Sequence, residues 1–186
     1  MTLFNTIRSL FAKQPVAPQA PVEAPTTPTE RRRRPRSNPR EGTRVLVIDD
    51  SPTIVVALKK FLRSSGCITL SAGDAETGIA IAAAEQPELI FLDIVLPGMN
   101  GFAALRALRK EPRTRDIPVV MMSGNEQAAA QFLGARINAD GFMKKPFTRF
   151  DLYNHVERLL DSEHVPHRPL PAETPVSRPL EAFSVG

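Results

Sequence analysis

Cys67 is the only cysteine in 186 residues. No disulfide can form within the chain, and a reducing cytoplasm is the natural compartment for it. Long apolar runs are also missing: none approaches the roughly 18 residues that a membrane span requires. Met1 to Lys13 is interrupted by Asn5, Thr6, Arg8 and Ser9, with no charge ahead of its apolar residues. That excludes a secretory signal. The three histidines, His155, His164 and His167, all avoid the ends of apolar runs. A phosphohydrolase that needs a dedicated acid/base beside its nucleophile therefore has no candidate. No aromatic residue interleaves Arg31 to Arg36, so specific nucleic-acid binding, which would want a stacking platform, is not expected.

What is present is unevenly distributed. Of 18 prolines, seven lie in residues 1–43 and five after residue 160. This partition predicts a basic, Pro-rich leader (1–43), one domain (44–160) and a flexible Pro-rich tail (161–186). Charge follows it: the leader carries +5, the middle +1 and the tail −2. The basic pI of about 9.6 belongs to the leader, so it says nothing about the domain's partners. Leu3, Phe4, Ile7, Leu10 and Phe11 stand at helical spacing and predict a short amphipathic helix over 2–13. The prolines of 14–30 favour extended segments, and Arg31 to Arg36 form a like-charge block.

From Arg44 the pattern alternates strand and helix. Val45 to Ile48 is followed by Ser51-Pro52, a capping residue ahead of a proline at the first helical position. A helix follows from about Thr53 to Ser65, with Gly66 as its stop. Cys67 to Ser71 reads as a strand, Asp74 to Glu85 as an alanine-rich helix, and Leu89 to Leu92 as a strand. After a loop at Pro97 to Gly101 come a helix (Phe102 to Lys110), a strand (Ile117 to Met122) and a helix (Asn125 to about Arg136). A last strand, Phe142 to Lys144, precedes a helix from Thr148 to Leu160. Five strands alternating with five helices predict a doubly wound α/β fold around a parallel sheet.

Four apolar runs end in groups that a phosphoryl-transfer site needs. The first strand runs into Asp49-Asp50, the third into Asp93, the fourth into Ser123 and the fifth into Lys145-Pro146. In open sheets of this kind ligands sit outside the carboxyl ends of the strands. Clustered carboxylates there need a compensating cation, and oxygen-only donors point to Mg2+. Asp93 stands alone at the central strand's end and is the best-placed nucleophile. Ser123 and Lys145 can contact the oxygens that the metal leaves free.

Ile48-Asp49-Asp50-Ser51, Leu92-Asp93-Ile94 through Pro97-Gly98-Met99-Asn100-Gly101, Met122-Ser123-Gly124 and Lys145-Pro146-Phe147 resemble the receiver domain of bacterial two-component response regulators. The resemblance covers about residues 44–160 and implies a flavodoxin-like fold. It also implies that Asp93 is the phosphoacceptor of a sensor histidine kinase or phosphotransfer protein. Asp50 would bind Mg2+ directly, Asp49 mainly through water, and Val95 through its backbone carbonyl. Ser123 and Lys145 would hold phosphoryl oxygens, and Phe142 matches the position of an aromatic switch. Phe142 stands where many members have tyrosine, and Lys144 where a small or hydroxylated residue is frequent. Lys144 lies on the strand face opposite Lys145 and is expected to stay out of the site. The similarity is greatest to single-domain regulators of chemosensory and type IV pilus (twitching motility) pathways.

The expected function is that of a cytoplasmic switch rather than an enzyme, signalling through phosphorylation-dependent protein contacts. The 26 residues after Leu160 leave no room for an output domain. The alternative is a tethering protein whose leader contacts a membrane surface or polyanion and carries the receiver as regulated cargo.

Overall fold

The alternation of apolar runs resolves into ten elements in a computed structural model that describes residues 37–134 and 138–169. They are β1 (Arg44–Ile48), α1 (Pro52–Arg63), β2 (Ile68–Ala72), α2 (Ala75–Glu85) and β3 (Leu89–Asp93). Then follow α3 (Gly101–Lys110), β4 (Val119–Ser123), α4 (Glu126–Gly134), β5 (Gly141–Lys144) and α5 (Arg149–Arg158). All pairings are parallel and the strand order is β2-β1-β3-β4-β5, the flavodoxin-like order. The expected five-stranded doubly wound sheet is the fold.

The strands are apolar throughout because both faces are covered. Leu46, Ile48, Ile90, Leu92, Val119 and Met121 face one core, shared with Ala82 of α2 and Leu105 and Leu108 of α3. Their sequence neighbours Val45, Val47, Leu89, Phe91, Val120 and Met122 face the other. There they pack with Leu58 and Leu62 of α1 and Leu152 and Val156 of α5. The period of two along each strand thus sorts side chains between two layers of helices. Truncating one of the fully buried leucines to alanine would cost about 2–5 kcal/mol.

Helix ends follow local chemistry. Asp74, Asn100 and Thr148 cap α2, α3 and α5 through their side chains, and Thr148 with Asp151 completes a capping box. Ser51 occupies the N-cap of α1 but its side chain makes no capping bond. Its backbone N–H donates to Asp49 Oδ1 at 3.0 Å. Gly66, at φ +83°, turns the chain out of α1 as expected. Strand β4 starts at Val119 rather than Ile117. Pro118 has no N–H for the ladder, and Ile117 donates into its own turn, to Thr114 O.

The tail differs from expectation over its first part. Residues 161–169 pack back on the domain: Pro166 is buried, Leu160 pairs with Pro166, and the His167 N–H donates to Leu159 O. The predicted helix over 2–13, the arginine block and residues 170–186 lie outside the described residues. No helix among the described residues is long and apolar enough to cross a membrane.

Candidate functional site

Register places the site. Because β1, β3, β4 and β5 lie side by side and parallel, the residues at their carboxyl ends share one rim. Asp93 closes β3, Ser123 closes β4, and Asp49, Asp50 and Lys145 directly follow their strands. Ser123 is opposite Lys144 in the β4–β5 ladder. The Lys145 N–H donates to Ser123 O at 2.8 Å, which fixes where the lysine leaves the sheet.

Lys145 Nζ lies 2.7 Å from Asp93 Oδ2 and 2.6 Å from Asp49 Oδ2. It donates a hydrogen bond to Asp93, whose other oxygen accepts the Val95 N–H at 3.2 Å. Asp49 and Asp93 are buried and Asp50 is exposed. Ligand atoms of these three carboxylates lie within 4.8 Å of one another. Burial pushes the Asp49 carboxyl above the ordinary aspartate range, and the Lys145 ammonium works against that shift. Asp49 Oδ2 is buried, and beyond the close approach of the Lys145 ammonium at 2.6 Å it has no well-directed hydrogen bond. A buried, under-satisfied carboxylate oxygen facing two further carboxylates fits a hard divalent cation such as Mg2+.

Ser123 is buried at the same rim, but its hydroxyl is engaged locally. It accepts the Asn125 N–H at 3.0 Å and lies 3.4 Å from Asn125 O. Asn125 Oδ1 in turn accepts the N–H groups of Gln127 and Ala128, so the start of α4 is tied to Ser123. The Val95 side chain is half exposed, and its amide, not its carbonyl, is what meets Asp93. Phe142 is not at the rim. It stacks on Phe132 of α4, ring centroids 4.8 Å apart and planes at 27°. Lys144 does stay out of the site: it is exposed and lies 3.7 Å from Glu126 of α4.

Sequence reasoning did not single out Gly101. A Cβ there would stand 2.1 Å from Asp93 O, so only glycine lets α3 begin this close to the acceptor's backbone. The run Pro97-Gly98-Met99-Asn100-Gly101 carried the signal, but as a loop it did not separate Gly101 from Gly98, whose φ of +71° is a turn requirement.

Comparison with known proteins agrees with this geometry. The response regulator receiver domain family matches residues 45–157. Protein PilH of Pseudomonas aeruginosa is 35% identical over 117 residues, covering 63% of this chain and 97% of PilH. Several longer relatives are matched over only 26% to 53% of their own length. Among solved structures, the chemotaxis protein CheY4 of Vibrio cholerae superposes with a TM-score of 0.59 at 26% identity, over 64% of this chain and 99% of CheY4. The receiver domain of sensor histidine kinase PA1611 from Pseudomonas aeruginosa PAO1 was solved with magnesium coordinated in its active site cleft. It shares the fold at 23% identity and a TM-score of 0.58, over 63% of this chain and 96% of that one. The family match leaves out residues 1–43, and nothing in the comparisons supports the leader-driven alternative. With carboxylates, hydroxyl and lysine on one rim of a flavodoxin-like sheet and the family matched across that sheet, the chain belongs to the response regulator receiver domain family of signalling proteins.

Proposed function

We propose that Asp93 accepts a phosphoryl group from a histidine kinase or a phosphotransfer protein, and that the chain acts as a switch rather than an enzyme. The observation that carries this reading is the Lys145 ammonium held between Asp93 and Asp49, 2.7 and 2.6 Å from their oxygens. A lysine in that position orients the acceptor carboxylate and can follow a phosphoryl oxygen once it arrives. In the transfer, a carboxylate oxygen of Asp93 bonds to phosphorus, the P–N bond of a phosphohistidine breaks, and the departing imidazole takes up a proton.

Asp49, Asp50 and Asp93, with the Val95 backbone carbonyl, would hold Mg2+. When bound, the ion supplies positive charge that orients the phosphoryl group and offsets its negative charge. Ser123 contributes by turning its hydroxyl away from Asn125 toward a phosphoryl oxygen. That releases the link to the start of α4, next to the stacked Phe132 and Phe142. Phe142 is thus the proposed aromatic switch, and an altered face for an output protein is the proposed signal. Phosphorylation shifts such an equilibrium only by interacting differently with its two states.

We place the pathway with chemosensory or pilus-linked motility on the likeness to PilH and CheY4, and the chain in the cytoplasm. Peripheral membrane contact through the leader is a proposal resting on its amphipathic and basic pattern. The test is Asp93→Asn with a cognate kinase or a small acyl phosphate as donor. Phosphate incorporation should fall to background; incorporation at the wild-type level overturns the assignment.

A further inference from the structure

Residues 161–169 lie beyond the end of the family match at residue 157 and beyond α5, yet they are fastened to the domain. Asp161 Oδ1 accepts the N–H groups of Glu163 and Val165, which shapes the turn. Arg40 N–H donates to His164 O at 2.9 Å, and His164 Nδ1 lies 2.9 Å from Asn38 O. The last anchor is Arg168. Its Nε donates to Asp140 Oδ1 at 2.9 Å, its Nη1 to Arg115 O at 3.1 Å and its Nη2 to Asn138 Oδ1. The side chain of Asp140 is only 4% exposed. Its other oxygen accepts Arg109 Nη2 at 2.7 Å and the Val119 N–H at 2.8 Å.

Asp140 directly precedes β5, and the four residues of β5 lead straight to Lys145. One end of this short strand holds the tail, and the other holds both site carboxylates. β5 is an edge strand with a ladder to β4 alone, so less fixes it than fixes β1 or β3. A phosphoryl group on Asp93 exchanges the single carboxylate charge for close to two, a net gain of about one negative charge beside the oxygens that Lys145 now holds. The lysine must re-aim, and the four residues of β5 are the direct path from it to Asp140.

We propose that residues 161–169 form a strap, docked by Arg168 on Asp140, whose docking is coupled to the state of Asp93. The docked strap favours the arrangement with a free acceptor, and a phosphoryl group at Asp93 loosens it. This rests on Asp93 being the acceptor. By reciprocity, removing the latch strengthens phosphoryl binding by the same factor that phosphoryl binding weakens the latch.

The experiment uses the full chain with Mg2+, with and without beryllofluoride as a phosphoryl mimic, followed by hydrogen exchange and titration. Beryllofluoride should slow exchange in residues 94–101 and speed it at the amides of Val165 and His167. Arg168→Ala, and Arg168→Lys, which keeps the charge but not the forked donor, should both bind beryllofluoride about fivefold more tightly. They should exchange the strap quickly even without it. Protection near Asp93 with unchanged or slower strap exchange overturns the strap and leaves the acceptor standing. So does an unaltered affinity in both variants. No response near Asp93 at all overturns the acceptor assignment, and the strap with it.

Discussion

Two buried ion clusters stand at opposite ends of the same sheet, and they are built in opposite ways. At the carboxyl rim, three carboxylates lie together and two of them, Asp49 and Asp93, share one ammonium, while a buried oxygen of Asp49 is left without a directed hydrogen bond. At the amino pole, one carboxylate, Asp140, meets two guanidiniums and a backbone N–H, so both its oxygens are satisfied. Burial draws the Arg109 guanidinium down to about 10, which still leaves it charged at neutral pH. The pole is saturated and therefore holds loops together. The rim carries excess negative charge, which costs stability and makes room for a cation and a phosphoryl group. Charge balance, more than burial, separates the working cluster from the fastening one.

That contrast can be broken at either end. The largest effect on chemistry should come from Asp93→Asn, which abolishes phosphate incorporation without lowering the thermal midpoint, since it relieves like-charge crowding. Asp140→Ala should do the reverse. It strands a buried guanidinium and the Val119 N–H and should cost about 3 kcal/mol in denaturant titration, while the folded fraction still incorporates phosphate at saturating donor. If Asp140→Ala leaves stability intact, the pole is no fastening.

The smallest effect concerns pH. His155 of α5 sits half-buried with its Nδ1 3.4 Å from where a Cβ of Gly141 would stand. Burial, aided by Arg158 and opposed by Asp151, holds its pKa below the ordinary 6.5. The unfolded chain therefore takes up the proton first. His155 stabilises fully above about pH 6.5 and loses that contribution as pH falls toward the folded value. Midpoints measured across this range should fall less steeply with acid for His155→Gln than for the wild type. Equal slopes would show that His155 is not held neutral by its surroundings.

The two ends also differed in how far the sequence revealed them. The rim was legible because each of its groups terminates an apolar run, and parallel strands must bring such endings together. Asp49, Asp93 and Lys145 meet as that reasoning requires. The pole was not legible. Arg109 sits within a helix, Asp140 in a connection, and Arg168 in a stretch whose prolines read as flexible. Their meeting depends on tertiary packing, to which no local period points. Ser51 was legible as the N-cap position ahead of Pro52, but that its side chain makes no capping bond was not.

The central claim is that Asp93 carries the phosphoryl group, and reductive trapping tests it most directly. Borohydride converts an acyl phosphate to the alcohol, so a phosphorylated aspartate appears as homoserine in the peptide map. The account predicts homoserine at position 93 alone. Its appearance at 49 or 50 with Asp93 intact, or phosphate found on a histidine, would contradict it.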